Sequence, residues 1–397
     1  MKSFVLIYNG AADEPLPAMQ DRTPLQTVRA SNTCRMASTG QAGLLENHRR
    51  APEDSHTLLA ELFGASAESV AAFRRGPLRA AALQIETSLY DAAFCADFVT
   101  LRDGCLHTAR VPELSMEETT ALCETLREQS GPELQIYPVS PSCAVLLFQS
   151  SGAELMTGEA PEFRAGSRPD RYLARFKNAA APLRDLMVRA REILEHHPVN
   201  EVRRDLGEPP AELLWLWGGG PLPGRTAGEP RPDRVLFTNS AVARGLAVQM
   251  GMAVYPLGNP WKIEKDRPLF RLPELMEAVR RYSLIFFYLE APFGLGDFGG
   301  ALEKKMALEA ADRMLLEPLL PVIESCRPCR TALISDMLFS SVDGVPVPGD
   351  LPFVITGEEL APDAVERWSE VDCASGSLGT IKPAVFKNMI GSSLPRP

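Results

Sequence analysis

The chain has 397 residues, 45% of them hydrophobic and 23% charged, which is enough apolar material for a large core or two. Its formal net charge of −10, with no Lys/Arg run to offset it, excludes nucleic acid and anionic lipid as preferred partners. The apolar stretch in Met1–Gly10 is too short for a secretory signal, and the longest later one, Leu284–Leu289, falls far below the roughly 20 residues of a membrane span. The expectation is a cytoplasmic protein with its eight cysteines as thiols, mostly in the core.

In chain order, Phe4–Tyr8 is a continuous apolar run stopping at Asn9-Gly10, which predicts a central strand buried on both faces. Ser55–Leu62 predicts a helix with Ser55 at or near its N-cap. Val99-Thr100-Leu101 before Asp103-Gly104 predicts a strand and a hairpin turn. Ser115-Met116-Glu117-Glu118 has the spacing of a capping box and opens a helix to Gln129. Cys143–Phe148 reads as a strand, and Gly158–Asp170 as a boundary loop.

Pro182–His196 carries Leu183, Leu186, Met187, Ala190, Ile193 and Leu194 at helical spacing. Trp215-Leu216-Trp217 predicts a strand running into a Gly218–Gly220 loop, either an anion-binding turn or a plain tight turn. Val235–Phe237, Ala253–Tyr255, Leu284–Leu289, Ala332–Ile334 and Phe353–Ile355 are further short strands, with helical stretches such as Leu302–Leu316 between several of them. This alternation predicts an α/β fold, a mostly parallel sheet with helices on both faces. Residues 99–171 read as a smaller α/β domain inserted into a discontinuous core of 1–98 and 172–397.

Several ordered segments resemble the archaeal-type cofactor-independent phosphoglycerate mutases of the alkaline phosphatase superfamily. They are Leu6–Asp13, Thr23-Pro24-Leu25, Gly43-Leu44, Arg75-Gly76-Pro77-Leu78-Arg79-Ala80, His197-Pro198-Val199-Asn200 through Arg203 and Gly207, Trp215–Gly218, Glu290-Ala291-Pro292 and Gly376–Gly379. The resemblance implies an alkaline-phosphatase-like fold, a small phosphorylated organic acid bound between two domains, and phosphoryl transfer by a serine beside two metal ions.

Carried over by position, the resemblance places the nucleophile at Ser55, which by itself reads first as a helix N-cap, and substrate binding at Arg75. It gives Asn9, Phe293 and Met337 as degenerate ligand positions where the family has Asp or His. Asp336 and Asp297 are left as weak metal candidates through oxygen, for Mg²⁺, Ca²⁺ or Mn²⁺. The five histidines, His48, His56, His107, His196 and His197, all precede the C-terminal half where the family supplies its imidazoles.

The expected function is therefore a phosphoglycerate mutase relative with a degenerate centre, no cofactor, and a binding or regulatory role. The alternative is an active mutase or related phosphotransferase with a displaced metal site. On this reading Asn9, Ser55, Phe293, Asp297, Asp336 and Met337 belong to one cleft. His196-His197 suits a helix C-terminus. Cys326-Arg-Pro-Cys329 reads first as two thiols in a turn, with a redox or zinc role as the alternative.

Overall fold

The structure, a computed structural model, describes residues 1–47, 55–108, 110–149, 158–222, 230–259, 267–290 and 300–391. The chain forms two compact units, residues 1–71, 228–294 and 298–397 in the first and 72–227 with 295–297 in the second.

The first unit is built on an eight-stranded sheet. Its order is Thr380–Ile381, Gln41–Leu45, Leu351–Gly357, Cys329–Ser335, Lys2–Tyr8, Leu284–Leu289, Arg234–Thr238 and Ala253–Pro256. The last five strands are mutually parallel, whereas Leu351–Gly357 runs antiparallel to both its neighbours. The predicted opening strand lies near the middle, with parallel partners on each side. Phe4, Val5, Leu6 and Ile7 are fully buried, and each contributes on the order of 1.5–3 kcal/mol by leaving water. This is why the run is apolar throughout rather than alternating. The helix predicted over Leu302–Leu316 runs further: Ala301–Ala311 passes through a π-turn at Asp312–Leu316 into Glu317–Ser325.

The second unit is an antiparallel sheet centred on the long strand Ala92–Arg102, which pairs with Cys105–Thr108, Cys143–Phe148 and Leu213–Pro221. Leu134–Ser140 extends the sheet beyond Cys143–Phe148. The hairpin turn falls at Asp103-Gly104 as expected, both with positive φ. The Ser115–Glu118 capping box is complete at the start of Met116–Glu128. In Ala181–Glu195 the predicted apolar stripe is buried, Leu183, Leu186, Met187, Ala190 and Leu194 among it.

The expected division at 98/99 and 171/172 differs from these units. Residue 98 lies inside the Ala92–Arg102 strand, and a strand is not cut by a domain boundary when both halves pair with the same neighbour. Residues 172–222 join the second unit because Leu213–Pro221 pairs with Ala92–Val99. The glycines 218–220 are part of that strand and not a loop, so the anion-binding turn is withdrawn. The helix Arg75–Leu83 lies close against this sheet: a Cβ on Gly76 would collide with the Ala93 carbonyl, and one on Gly220 would come within 2.7 Å of Arg74 Cγ.

Candidate functional site

In a parallel sheet, side chains just beyond the carboxyl ends of adjacent strands converge, and ligands are met there. Lys2–Tyr8 delivers Asn9 to this edge, Leu284–Leu289 ends in Tyr288, Leu289 and then Glu290, and Cys329–Ser335 delivers Asp336. Backbone bonds from Asn9 N to Leu289 O (3.0 Å) and from Asp336 N to Tyr8 O (3.4 Å) fix the three ends together.

Asp336 is buried at the centre of this edge, 3% exposed. Asn9 Nδ2 donates to its Oδ1 and Oδ2 at 3.2 and 3.1 Å, Tyr288 Oη to Oδ2 at 2.9 Å, and Gly10 N to Oδ1 at 3.1 Å. The Asn9 amide must present its NH₂ here, because its oxygen would face two acceptors. Burial pushes the Asp336 carboxyl up to about 6, against the pull of the Asn9, Tyr288 and Gly10 hydrogen bonds. Ser335 Oγ accepts from Ala12 N at 3.0 Å and donates to Met337 O at 2.8 Å, which holds the segment around Asp336 against Gly10–Ala12. Beside it, Asn239 and Glu290 exchange two 2.8 Å bonds, side-chain amide to backbone.

Asn9 and Asp336 are thus brought into direct contact, and Met337 follows half-buried. Ser55 begins the helix Ser55–Leu62, but its side chain lies outside what the structure describes, as do Phe293 and Asp297 altogether. The described residues do not fit a two-metal shell. Three donors aim hydrogens at the one carboxylate, where a cation would need lone pairs, and among the described residues no three His, Cys, Asp or Glu converge.

Sequence reasoning missed Tyr288 and Asn239, although both stand at the carboxyl ends of predicted strands, where the general rule would look for them. It also missed a second buried cluster in the same unit. Lys304 Nζ binds Asp13 Oδ2 at 2.7 Å with both side chains fully buried, and donates to Phe339 O at 2.6 Å. Asp13 further accepts from Glu14 N and from the backbone and hydroxyl of Ser341, while its own N–H donates to Glu370 at 2.8 Å. Thr23 Oγ1 donates to the other Glu370 oxygen at 2.6 Å. Burial lowers the Lys304 ammonium and raises the Glu370 carboxyl, with Asp13 opposing the first shift and Thr23 the second.

Arg75 lies in the second unit at the start of Arg75–Leu83, its guanidinium 5.4 Å from the Trp217 ring centre. The same ring is approached at 5.6 Å by Arg79, which forms a buried 2.5 Å pair with Asp97; Trp217 Nε1 donates to Asp97 at 2.7 Å. Of the pair expected at a helix C-terminus, His196 is the C-cap of Ala181–Glu195, whereas His197 opens the next helix. It is the N-cap of Pro198–Asp205, where Nδ1 accepts from Val199 N at 3.2 Å and Nε2 contacts Thr125 Oγ1 at 3.0 Å. Accepting a hydrogen bond at Nδ1 calls for the neutral ring, and desolvation lowers its pKa, with Glu201 opposing. Cys329 is buried, with its thiol pushed up to about 11 by burial, and its Sγ donates to Ile323 O at 3.4 Å; Cys326 stands half-buried nearby.

A largely parallel α/β sheet with a polar cluster across its central carboxyl ends defines the class of protein. The comparisons show what the chain is similar to. The model for 2,3-bisphosphoglycerate-independent phosphoglycerate mutase matches residues 37–200. The mutase of that name from Methanothrix thermoacetophila is 29% identical, with 96% of this chain and 97% of the relative covered. That of Methanosarcina acetivorans is 28% identical, over 98% and 99%.

Among solved structures, a Pyrococcus horikoshii protein superposes with a TM-score of 0.70 at 20% identity, covering 100% of this chain and 99% of the other. The cofactor-independent phosphoglycerate mutase of Thermoplasma acidophilum does so at 0.52 and 21%, covering 98% and 99%. Over nearly its whole length the chain is similar to 2,3-bisphosphoglycerate-independent phosphoglycerate mutases, and it shares their fold.

Proposed function

We propose that this chain keeps the mutase fold while its metal centre has given way to an internal hydrogen-bond network, so that it binds a small phosphorylated acid without interconverting phosphoglycerates. The observation that carries this reading is the saturation of Asp336 by Asn9, Gly10 and Tyr288. A carboxylate with both oxygens already engaged must give up at least one of these bonds to accept a cation, and Asn9 brings a neutral amide where the resemblance implies an acid. Without two cations to absorb charge, a serine hydroxyl at Ser55 has no activation and the transferring phosphoryl group no stabilisation.

Arg75 is the residue assigned to the ligand's anionic group, since a planar guanidinium can take a carboxylate or phosphate by two parallel bonds. The role is binding or regulation, with no cofactor, in the cytoplasm. Among the described residues no helix is long and apolar enough to cross a membrane.

The deciding experiment is elemental analysis of the purified chain together with a coupled assay on 3-phosphoglycerate with and without added Mn²⁺. The expected result is no stoichiometric transition metal and no rate above background. A Mn²⁺-dependent rate abolished by Ser55→Ala would establish the displaced-site alternative instead. For the ligand, calorimetry with 3-phosphoglycerate should show weak binding that Arg75→Ala diminishes; an unchanged affinity would remove Arg75 from the site.

A further inference from the structure

A cavity of about 240 Å³ opens at the other end of the first unit's sheet, between Ser31–Ser38 and Glu317–Ser325. Its floor is the start of Cys329–Ser335 and the end of Leu351–Gly357, which contribute Thr331 and Thr356. At about 3.3 Å per residue along the strand, Thr331 is roughly 17 Å from Asp336, so this is a different place from the polar cluster. One wall is apolar, formed by Met36, Leu320 and Ile323.

The rim carries two charges of each sign. Arg35 and Glu324 neutralise each other through a 2.8 Å pair across the mouth. Arg327 and Glu358 also line the cavity, both are exposed, and neither has an ion-pair partner among the described residues. Arg327 acts to lower the thiol of Cys329 in the floor, and Glu358, with Glu359, to raise it.

A cavity whose rim sums to zero has no preference for a multiply charged phosphate ester. It suits a ligand with one carboxylate, one ammonium and a short apolar body. We propose that it is a binding site for a small α-amino acid with an apolar side chain. Arg327 takes the carboxylate, Glu358 the ammonium, and Met36, Leu320 and Ile323 the side chain, with the Thr331 and Thr356 hydroxyls completing the polar contacts. The cavity is open to solvent on one side, and its volume of about 240 Å³ falls below the roughly 300–1,000 Å³ of sites for drug-sized ligands, which restricts it to a small molecule.

The test is calorimetry on the full chain with L-valine, L-leucine and L-methionine as probes. Controls are 4-methylpentanoate and isoamylamine, which each lack one of leucine's two charges, and inorganic phosphate. At least one amino acid should bind with Kd in the range of about 0.1–5 mM, and each control at least about tenfold more weakly. Arg327→Ala and Glu358→Ala, both on the surface and confirmed as folded by circular dichroism, should each weaken binding by about tenfold or more. Asp336→Asn should leave it unchanged. The proposal is overturned if no amino acid binds up to about 20 mM, if the acid or the amine binds as well as leucine, or if both rim variants retain wild-type affinity.

Discussion

Asn9 donates through one amide nitrogen to both carboxylate oxygens of Asp336, at 3.2 and 3.1 Å, across 327 positions of sequence. The contact follows from the parallel pairing of Lys2–Tyr8 with Cys329–Ser335, which brings Tyr8 opposite Ser335 and so the next residue of each strand side by side. A neutral amide in contact with a buried carboxylate satisfies it, whereas a second carboxylate there would oppose it.

Asn9→Asp is therefore expected to destabilise the metal-free protein by about 2–4 kcal/mol at pH 8, because a carboxylate at this half-buried position, about 3 Å from the buried Asp336, cannot ionise together with it. One of the pair then keeps its proton, so the loss should shrink towards pH 5. Added Mn²⁺ should recover part of it, since the variant restores an acid at the family's position. Thermal unfolding with and without the metal checks both points. Equal stability of the variant and wild type at pH 8 would contradict the donor role of Asn9.

Asp336→Asn tests the cost of the buried charge. The folded carboxyl sits at about 6, above the ordinary Asp value of 3.8, so between those values the native state holds the proton that the unfolded state has lost. Stability from this group is full below about 4 and declines as pH rises through 6. The variant, which never ionises, should gain on the wild type over that interval, by about 3 kcal/mol at pH 8. Urea titrations at pH 5 and pH 8 measure the difference, and a variant less stable than wild type by the same margin at both would show that no such charge cost exists.

Lys304→Met leaves Asp13 buried at 0% exposure without its ammonium, and breaking such a pair is expected to cost about 3–5 kcal/mol. Lys304→Met combined with Asp13→Asn should be more stable than Lys304→Met alone, because the orphaned charge goes with its partner. A double-mutant cycle by chemical denaturation gives the coupling. Additive losses would mean that the 2.7 Å contact contributes nothing beyond its separate groups.

The neutral His197 cap predicts an acid-side loss of stability. Its folded pKa lies below the ordinary value, so as pH falls below about 6.5 the unfolded chain takes up a proton that the native ring refuses. Stability is therefore full above about 6.5 and lost as pH falls towards the folded value. His197→Asn retains a capping oxygen without titrating there, and should remove this part of the slope between pH 7.5 and pH 5.5. An identical slope in wild type and variant would assign the acid sensitivity to other groups.

By itself the sequence determined the elements and the likeness to the mutases. Continuous apolar runs such as Phe4–Tyr8 and Leu284–Leu289, short and bounded by turn residues, read as strands buried on both faces, and the Ser115–Glu118 spacing locates a helix start because capping is a local hydrogen-bond pattern. The motif order from Leu6 to Gly379 pointed to the mutases, and with that to Asn9 and Asp336 as one site. Only the tertiary structure decided which side chains answer which. Tyr288 looks like one more apolar residue of its strand until Asp336 is placed beside it, and Lys304 looks like a surface lysine until the chain places it against Asp13, 291 positions away. The limits of the second unit were hidden for the same reason. Ala92–Arg102 joins it by pairing with Leu213–Pro221, and strand pairing is a relation between distant segments that neither records in its own composition.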